Sequence, residues 1–395
     1  MKKLVIAALL LTSLAATYVM GTFNASKTIS IPDAQWTQNS EAAQAWREFS
    51  ASLEAAGARV FERSEEQDER LEGLQFISQI ASASLEMKLA NGSTVHPKLT
   101  DWMSDYRKFL GDSPDAIYHT AQISPDFRYE IHGNRGDANY LGFMLYGKQL
   151  NGWNRAASNV SSQTLRFDDT GGFTLLLSKN APEEPNPNWL ELDDDIHMIM
   201  VRQYYHGRDG KAPATLSIRN LDAPAFIPLD DTQIAQGIRS ATTFFNETLD
   251  GAIALTSMLA KAPNSFDPPT SYSADFGGVF YPTLDNEYYG GWFNLAEDEA
   301  LIIEGSVPDA PYWALSLQNS WMQSMDYENH PVALNNKQIA TENGRYRVIL
   351  AHQKPPQGNW LSTAGKQQGL LSIRYQLSED SETPTLKRVK FNALQ

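Results

Sequence analysis

The sequence predicts an α+β protein that is mainly β, in which two related β-sandwich modules carry an N-terminal helical pair and a bridging helix. The main observation is an internal duplication at an offset of 172 positions, in which Gly133, Ala138, Tyr140, Gly172 and Arg202 recur as Gly305, Ala310, Tyr312, Gly344 and Arg374. The triplet Asn-Trp-Leu also occurs twice, at 188–190 and at 359–361. Solenoid repeats are only about 20 to 50 residues long, so this period indicates two modules rather than a solenoid.

Size and composition agree with this fold class. The chain has 395 residues, more than a single hydrophobic core usually serves, so two lobes or one large double sandwich are expected. Apolar residues make up 42% of the chain, with 17 Phe, 16 Tyr and 9 Trp. This composition is typical of an aromatic-rich folded β protein and excludes a disordered chain.

The first 21 residues have the layout of a signal peptide. Lys2 and Lys3 precede an apolar run from Leu4 to Met20. The sequence therefore predicts export to the periplasm or secretion. The cleavage point is ambiguous, and an uncleaved membrane anchor is the alternative; no later segment is apolar enough to span a membrane.

Cysteine content and charge exclude several classes of site and partner. The chain contains no cysteine, which excludes disulfides, thiolate nucleophiles and Cys-ligated metal centres. The formal net charge is −15, which argues against nucleic acid or anionic lipid as a general partner.

Two helices are predicted in a helical region spanning residues 22–110. Apolar residues spaced by three and four define stripes over 42–61 and 69–89. The stripes consist of Trp46, Phe49, Leu53, Ala56 and Val60, and of Leu71, Leu74, Ile77, Ala81 and Leu85. We expect an antiparallel pair whose stripes are core faces rather than ligand sites.

The first β module is predicted over residues 111–228, with its most strand-like segments at 140–146, 175–177 and 196–201. A bridging helix is predicted within 229–263, because apolar residues there recur at helical spacing between two prolines.

The second β module is predicted over residues 264–380. Within it, Gly277-Gly278 and Gly290-Gly291 are interpreted as turn or bulge signals. The charged residues 381–395 are interpreted as an exposed tail.

The sequence lacks the common catalytic signatures: it has no Gly-x-Ser-x-Gly elbow, His-Glu-x-x-His motif, Walker loop or dinucleotide fingerprint. No cofactor and no metal site is predicted. Asp193-Asp194-Asp195 with His197 is the nearest approach to a hard-metal cluster, and we interpret it as a solvated acidic turn.

The duplicated polar and aromatic residues allow two interpretations. Trp189 and Trp360, each preceded by Asn, could bind a sugar or another polar ring, or could close the end of a sandwich while the Asn amide satisfies the turn backbone. We favour the structural role, because both copies keep the pair. Arg202 and Arg374 could pair with a buried carboxylate, such as Asp137 or Asp309, or could clamp an anionic ligand.

Residues found in one module only suggest an enzymatic alternative. Asp326, Tyr327 and His330 lie within five positions, and His206 follows two tyrosines in the first module. Such a set could perform acid-base chemistry, because His titrates near neutrality and a carboxylate can orient it. The alternative is a loop whose polar groups satisfy each other.

Several of these segments resemble a bacterial family known only as domain of unknown function 1214. The resemblance covers roughly residues 69–377 and rests on 111–115 with Tyr118, 129–140, 188–204, Tyr312-Trp313, 321–336 and 359–374. Ser113 stands where the family usually has Asn. The resemblance implies a β-rich, jelly-roll-like protein with appended helices, and it implies no activity.

Three functions follow as hypotheses. The first is an exported binding protein that holds a carbohydrate-like or amphipathic small ligand, including an oligosaccharide, in an aromatic cleft between the modules. Its candidate ligand-binding residues are Arg135, Tyr140, Trp189, Arg202, Tyr204, Tyr289, Trp313, Trp321, Trp360 and Arg374. The second is a hydrolase or lyase using Asp326, Tyr327, His330 and His206. The third is an envelope assembly protein; a homo-oligomer remains an open alternative.

Overall fold

The computed structural model describes residues 38–149, 154–224, 228–266, 280–378 and 381–394. The predicted signal peptide and the Gly277-Gly278 turn lie outside these residues. In the described ranges, no helix has both the length and the apolar character that a membrane crossing requires.

The predicted helical regions are confirmed. The helices are α1 (Glu41–Arg63), α2 (Gln67–Leu85), which continues into a π-helical turn (Glu86–Ala90), and α3 (Asp231–Leu259). Polar side chains begin two of them, since Ser40 accepts from the Ala43 amide and Asp230 from the Gln233 amide. Such N-caps satisfy amides that have no partner within the helix.

The bridging helix α3 packs directly against the N-terminal pair, so the pair becomes part of a three-helix layer. The starts of α1 and α3 meet where the Ser40 hydroxyl donates to Asp231 over 2.5 Å. Their ends meet where Arg63 Nη2 donates to Thr256 Oγ1 over 2.7 Å. Helices α1 and α3 are therefore parallel. Between their ends the rings of Phe49 and Phe245 lie 6.0 Å apart.

The buried face of α2 differs from the predicted stripe. Leu71 and Leu74 of the stripe are exposed, although Ile77 is buried and Ala81 and Leu85 pack against the core. Phe76 and Ile80, which were outside the stripe, are also buried. The reason is the close approach of another aromatic residue, Trp321 of the second module, whose ring stacks on Phe76 at 5.8 Å. This long-range contact rotates the buried face away from the sequence stripe.

The contact with Trp321 gives a testable prediction at Gly73 of α2. A Cβ at Gly73 would lie 2.6 Å from the Trp321 ring and 2.6 Å from Val60. We expect Gly73→Ala to lower the free energy of unfolding by about 1–3 kcal/mol through overpacking, although alanine favours helices. Urea denaturation measures this change.

Gly57 of α1 is the matched control, because a Cβ there would meet nothing within 4 Å. We expect Gly57→Ala to stabilise by about 0.5–1 kcal/mol. Equal effects of the two substitutions would contradict close packing of α2 on Trp321.

The strands form two modules of the same design, which confirms the predicted fold class. The first comprises β1 (Thr100–Asp101), β2 (Ala116–Gln122), β3 (Tyr129–Asn134), β4 (Tyr140–Lys148), β5 (Asn154–Ser161), β6 (Gly172–Ser178), β7 (Trp189–Glu191), β8 (Met198–Tyr204) and β9 (Thr215–Asn220). The second comprises β10 (Asn286–Asn294), β11 (Glu299–Ser306), β12 (Tyr312–Gln318), β13 (Ala333–Asn335), β14 (Thr341–Glu342), β15 (Arg345–Ala351), β16 (Asn359–Ser362), β17 (Gln368–Gln376) and β18 (Thr385–Lys390). A 3₁₀ turn at Phe391–Leu394 ends the described chain.

The sheet topology repeats between modules. The inner sheet of the first module has the order β1-β2-β8-β4-β5, and that of the second has β10-β17-β12-β13. The outer sheets run β7-β6-β3-β9 and β14-β15-β11-β18, with β16 pairing with β15. In both outer sheets one pairing is parallel, β6 with β7 and β15 with β16, and the Asn-Trp-Leu triplet supplies the short strand. The sequence duplication is therefore a duplication of topology.

Each module buries a core between its two sheets, and a third core lies between the inner sheets and the helices. In β8, Ile199 and Val201 point into the first sandwich core, whereas Met200, Arg202 and Tyr204 point to the central side. Because both faces of the strand are covered, the whole of β8 is buried. This placement makes the centre of the molecule the meeting point of both modules and all three helices.

Two sequence interpretations in the second module were wrong. Residues 385–390, expected in the tail, form β18, which pairs antiparallel with β11. Charged residues are usual on edge strands as well as in solvated tails, so the lysines and arginine of β18 did not distinguish the two. Lys390 of this strand bonds Asp298 at 2.9 Å.

The glycine pair Gly290-Gly291 lies inside β10 rather than in a turn. A Cβ at Gly291 would meet the Phe266 ring at 2.9 Å, so a close neighbour explains this glycine.

Candidate functional site

A cavity of about 80 Å³ lies between the inner sheets of the two modules. We call it the central cavity. Its walls are mainly apolar and aromatic, with contributions from β2, β8, β10 and β17, from α3, and from the segments before β2 and β10. Lining residues used below are Tyr118, Arg202, Tyr204, Tyr288, Gly290, Gln318, Ser372 and Arg374. Both members of the duplicated arginine pair therefore reach one cavity.

Arg202 is buried in the cavity wall, at 6% exposure. Its Nη2 donates to the Tyr281 carbonyl over 2.5 Å and to the Tyr146 hydroxyl over 3.1 Å. Its Nη1 is also buried and has no hydrogen-bond partner among the residues that the structure describes. A guanidinium nitrogen without a partner is unusual in a protein interior, where polar groups are normally paired.

Arg374, at 4% exposure, occupies the equivalent position in the second module. Its Nη1 donates to the Tyr204 hydroxyl over 3.0 Å and its Nη2 to the Gly111 carbonyl over 3.0 Å. Its guanidinium carbon also lies 5.7 Å from the Tyr288 ring centroid, within the range of a cation–π contact. The partners of Arg374, like those of Arg202, are electrically neutral.

No described carboxylate contacts either guanidinium group. Asp137 and Asp309 were the partners considered from the sequence, but Asp137 accepts from the Ala212 amide instead. Asp112 lies beside Gly111, but its oxygens accept from the amide and hydroxyl of Ser324 at 2.9 and 2.6 Å, and burial raises its pKa. The described part of the central cavity thus carries two positive charges without a contacting anion.

The tyrosines around these arginines do not supply the missing negative charge. Burial raises the pKa of Tyr118 and of Tyr288 well above the ordinary value for a phenol, so both hydroxyls stay protonated at neutral pH. Each ring stands directly across a strand pair from an arginine, Tyr118 opposite Arg202 and Tyr288 opposite Arg374. They provide apolar area and neutral hydroxyls.

Gln318 adds a further unsatisfied group at the cavity. It is fully buried, and neither its Nε2 nor its Oε1 has a hydrogen-bond partner in the described structure. Together with Arg202 Nη1, the amide offers donors and one acceptor to a molecule inside the cavity. Gly290 lines the cavity without a side chain, whereas positions 288 and 292 on the same face of β10 carry Tyr and Trp.

Around the cavity the two modules exchange hydrogen bonds reciprocally. Tyr312, which begins β12, donates to Asp115 before β2 over 3.0 Å, and Asn335 Nδ2 donates to the same oxygen over 2.8 Å. Tyr140, which begins β4, donates to Asp285 before β10, and Asn159 Nδ2 donates to Asp285 over 3.1 Å. The two Asp-Tyr-Asn groups are related by the pseudo-symmetry of the duplication. They link each module to the first inner strand of the other.

Sequence reasoning missed Asp115 and Asp285 as equivalent residues. They stand 170 positions apart, as do Tyr118 and Tyr288, whereas the rest of the repeat is offset by 172 or 171. The cross-strand pairs Tyr118–Arg202 and Tyr288–Arg374 establish the equivalence. A search of the repeat that allowed a two-residue slip before β2 and β10 would have found both pairs.

The predicted ligand-binding residues fall into two groups. Arg202, Tyr204 and Arg374 line the central cavity, and Tyr140 borders it, with its ring 6.0 Å from that of Tyr204. The other six lie elsewhere. Trp313 is in the second sandwich core, and Trp321 stacks on α2 and donates to the Glu69 carbonyl over 2.8 Å.

The remaining four predicted ligand-binding residues make local contacts. Trp189 donates to Ser178 and Trp360 to the Ala351 carbonyl, at 2.9 and 3.1 Å. Arg135 donates to the Ala138 carbonyl over 3.3 Å, and the Tyr289 hydroxyl lies 2.9 Å from that of Ser381.

The asparagines before the two duplicated tryptophans hold turns. Asn188 accepts from the Arg166 amide and donates to the Arg166 carbonyl, both over 2.8 Å. Asn359 makes the same pair of 2.8 Å bonds with Ala340. These contacts correspond to the structural interpretation of the Asn-Trp pair.

The four candidate catalytic residues have separate partners. The Asp326 carboxylate accepts from the amide and side chain of Asn329, and the His330 amide donates to the Asp326 carbonyl. The Tyr327 hydroxyl donates to Asp105 over 2.6 Å. The His206 ring lies 5.7 Å from that of Tyr312, near the reciprocal Asp115 group.

The acidic turn at 193–195 is neutralised by basic neighbours. Arg155 bonds Asp193 at 2.9 Å and Asp195 at 2.5 Å, and Lys179 pairs with Asp194. In the described residues no group of three or more His, Asp or Glu side chains is arranged to hold a metal ion.

Comparison with known proteins identifies relatives without a known function. The profile of a family described as "Protein of unknown function (DUF1214)" matches residues 119–208 and 278–379. A search of curated proteins finds no match.

A crystal structure of an uncharacterized protein from Burkholderia cenocepacia is similar over 89% of this chain and 98% of that chain, with 27% identity and a TM-score of 0.81. The VPA0106 protein from Vibrio parahaemolyticus is similar over 80% of this chain and 98% of its own, with 11% identity and a TM-score of 0.47. The two family segments coincide with the core strands of the two modules, and the chain belongs to the DUF1214 family of proteins of unknown function.

Proposed function

We propose that this protein binds a small amphipathic molecule, with a carboxylate or comparable anionic group, in the central cavity. The single observation that carries this proposal is the pair of buried arginines, Arg202 and Arg374, which no described carboxylate contacts. Burying a charge without a counterion costs several kcal/mol in real proteins, so such a pair suits a site that an anion completes.

The walls of the cavity favour an apolar body for this ligand. Tyr118, Tyr204 and Tyr288 present aromatic area, and Met322 and Leu370 add aliphatic area. Ligand sites commonly combine apolar walls with a few polar groups that orient the ligand. A carbohydrate would need partners for many hydroxyl groups, whereas Gln318 and Ser372 are the only neutral polar side chains besides the aromatic ones among the described residues that line the cavity. An amphipathic anion therefore fits better than an oligosaccharide.

The N-terminal leader supports a location outside the cytoplasm for this binding activity. Lys2, Lys3 and the apolar run that follows have the order of an export signal. An exported protein that captures amphipathic anions would work on molecules arriving from the environment or from the cell envelope.

Calorimetric titration of the purified protein tests the binding proposal. The probes are straight-chain carboxylates from acetate to octanoate, together with phenylacetate, each paired with its uncharged alcohol at matched ionic strength. We expect at least one carboxylate to bind about tenfold or more tightly than its alcohol, a difference of about 1.4 kcal/mol.

Gly290→Val is designed to block the cavity, because it adds a side chain to the cavity face of β10. It should abolish this binding while the far-ultraviolet circular dichroism stays unchanged. Equal affinity for acids and alcohols, or carboxylate binding that survives Gly290→Val, would contradict the proposal.

A further inference from the structure

A second cavity, of about 580 Å³, lies between the π-helical turn after α2, the ends of strands β2 and β4 of the first inner sheet, and the first half of α3. We call it the basic cleft. Lys88 of the π-helical turn, Lys148 at the end of β4 and Arg239 of α3 line it, in a chain whose net charge is −15. Tyr281 belongs to the walls of both cavities, so its ring separates the basic cleft from the central cavity.

The two lysines have one acidic neighbour in the cleft, Glu247, and form no ion pair with it. In the described chain neither forms an ion pair, and Lys88 Nζ donates to Gln122 Oε1 over 2.8 Å. That bond fixes the orientation of the Gln122 amide, whose buried Nε2 then has no partner. Arg239 stands 3.6 Å from Glu41 and 3.8 Å from Glu48 on α1, so it belongs to the rim.

The pKa values of the groups in the cleft also indicate an excess of positive charge. Burial and the nearby positive charge of Lys148 lower the pKa of Lys88 to about 8, although Glu247 opposes this effect. Burial, followed by Lys88 and Lys148, lowers the pKa of His197 to about 3, so this ring is neutral. Two ammonium groups therefore face one carboxylate, Glu247, so an excess of positive charge remains in the cleft and favours an anion.

We propose that the basic cleft binds a phosphate-type anion, held by Lys88, Lys148 and the Gln122 amide nitrogen. Phosphate accepts several hydrogen bonds at once, and those from ammonium groups are charge-assisted, which suits the two lysines and the amide that line this cleft. The cleft is larger than a single phosphate, and Thr232, Ser240 and Thr243 of α3 add hydroxyl groups to its wall. A small soluble phosphate monoester is the class of ligand that uses all of these groups.

Calorimetry with inorganic phosphate and with glycerol 1-phosphate, at constant ionic strength, tests this site. Lys88→Met and Lys148→Met should each weaken binding at least tenfold, whereas Lys211→Met, at an exposed position in a loop of the first module, should leave it unchanged. Lys148 is exposed, so its variant tests the site even if Lys88→Met disturbs folding. No phosphate binding, or equal binding by all three variants, would overturn the proposal.

The pH dependence provides an independent readout. Sulfate keeps a constant charge between pH 6.5 and 9.5, so a change in its affinity reports on the protein. Lys88 loses its proton near pH 8, and burial also lowers the pKa of Lys148; Arg239 and Glu247 are the other charged side chains that line the cleft. Affinity for sulfate should therefore fall at least fivefold above pH 8, and a flat profile would overturn the role of Lys88.

Two further experiments distinguish phosphate binding in the basic cleft from binding in the central cavity and from binding to a lipid surface. Arg202→Met should leave phosphate binding intact, so loss of carboxylate binding to the central cavity and loss of phosphate binding to the basic cleft can be told apart. Vesicles of phosphatidylglycerol should not sediment the protein. Binding to vesicles without binding of soluble glycerol 1-phosphate would assign the cleft to a lipid surface and overturn the proposal.

Discussion

Replacing Arg202 with methionine should stabilise the ligand-free protein and at the same time abolish its binding of an amphipathic carboxylate. Arg202 is buried, its Nη1 has no partner, and its charge faces neutral groups. Replacing uncompensated buried charges by apolar side chains is often neutral or stabilising, so we expect a gain of about 1–3 kcal/mol in the free energy of unfolding. Binding should weaken about 100-fold, since the anion loses one of its two charged partners.

Arg202 is the better of the two arginines for this test, because its removal leaves fewer hydrogen-bonding groups without a partner. The Tyr281 carbonyl that Arg202 contacts also accepts from the Tyr146 hydroxyl over 2.9 Å, so the substitution does not leave it unsatisfied. Arg374→Met removes the donor to the Gly111 carbonyl and to the Tyr204 hydroxyl. We expect that variant to lose binding with a smaller gain in stability, or with none.

Urea denaturation and calorimetry on the same samples measure both effects. Arg219→Met is the control, because this arginine is on the exposed edge strand β9 and pairs with Glu130 at 2.8 Å. It should change stability by less than about 1 kcal/mol and leave binding unchanged. A loss of more than about 3 kcal/mol in Arg202→Met would mean that the charge is compensated without a ligand, and would assign Arg202 a structural role.

The duplication was the part of the fold that the sequence could predict, because it is recorded in residues with fixed structural roles. Asn188 and Asn359 each hold a turn backbone with two bonds, and Arg202 and Arg374 occupy equivalent strand positions. Such roles restrict the residue type and keep both copies recognisable. The helices were predictable for a similar reason, since α3 carries a stripe that is buried along its length.

The central cavity could be predicted only in part, because it depends on contacts between distant segments. The sequence identified Arg202, Tyr204 and Arg374, but it could not show that the two modules face each other through these residues. Gly290 was interpreted as a turn or bulge residue, since a glycine that lines a cavity has the same local signature as one in a turn or bulge. Charged β18 was interpreted as a tail because periodicity and composition do not record which strand it pairs with.

Removing either of the reciprocal aspartates should weaken the protein by similar amounts. Asp115 accepts from Tyr312 and Asn335, and Asp285 accepts from Tyr140 and Asn159. Each substitution to alanine leaves a buried tyrosine hydroxyl and an amide without their acceptor. Because an unsatisfied buried group costs about 1–3 kcal/mol, we expect each variant to lose about 2–4 kcal/mol in the free energy of unfolding.

The measurement is urea denaturation of Asp115→Ala, Asp285→Ala and the control Asp169→Ala, an exposed aspartate in a loop of the first module that should cost less than about 0.5 kcal/mol. A double-mutant cycle between Asp115→Ala and Tyr312→Phe should give a coupling of about 0.5–3 kcal/mol, since the two groups are in contact.

The comparison between the two aspartates tests how the modules are joined. Two groups that repeat the same three residue types across a pseudo-twofold interface should carry similar shares of its stability. If one aspartate costs several kcal/mol and the other nothing, only one of the two groups contributes to the stability of the interface. The central cavity, which lies between the two groups, would then have one firm wall and one that can move on ligand binding. Equal costs would instead mean that both walls are fixed, and that Arg202 and Arg374 are held in position before any anion arrives.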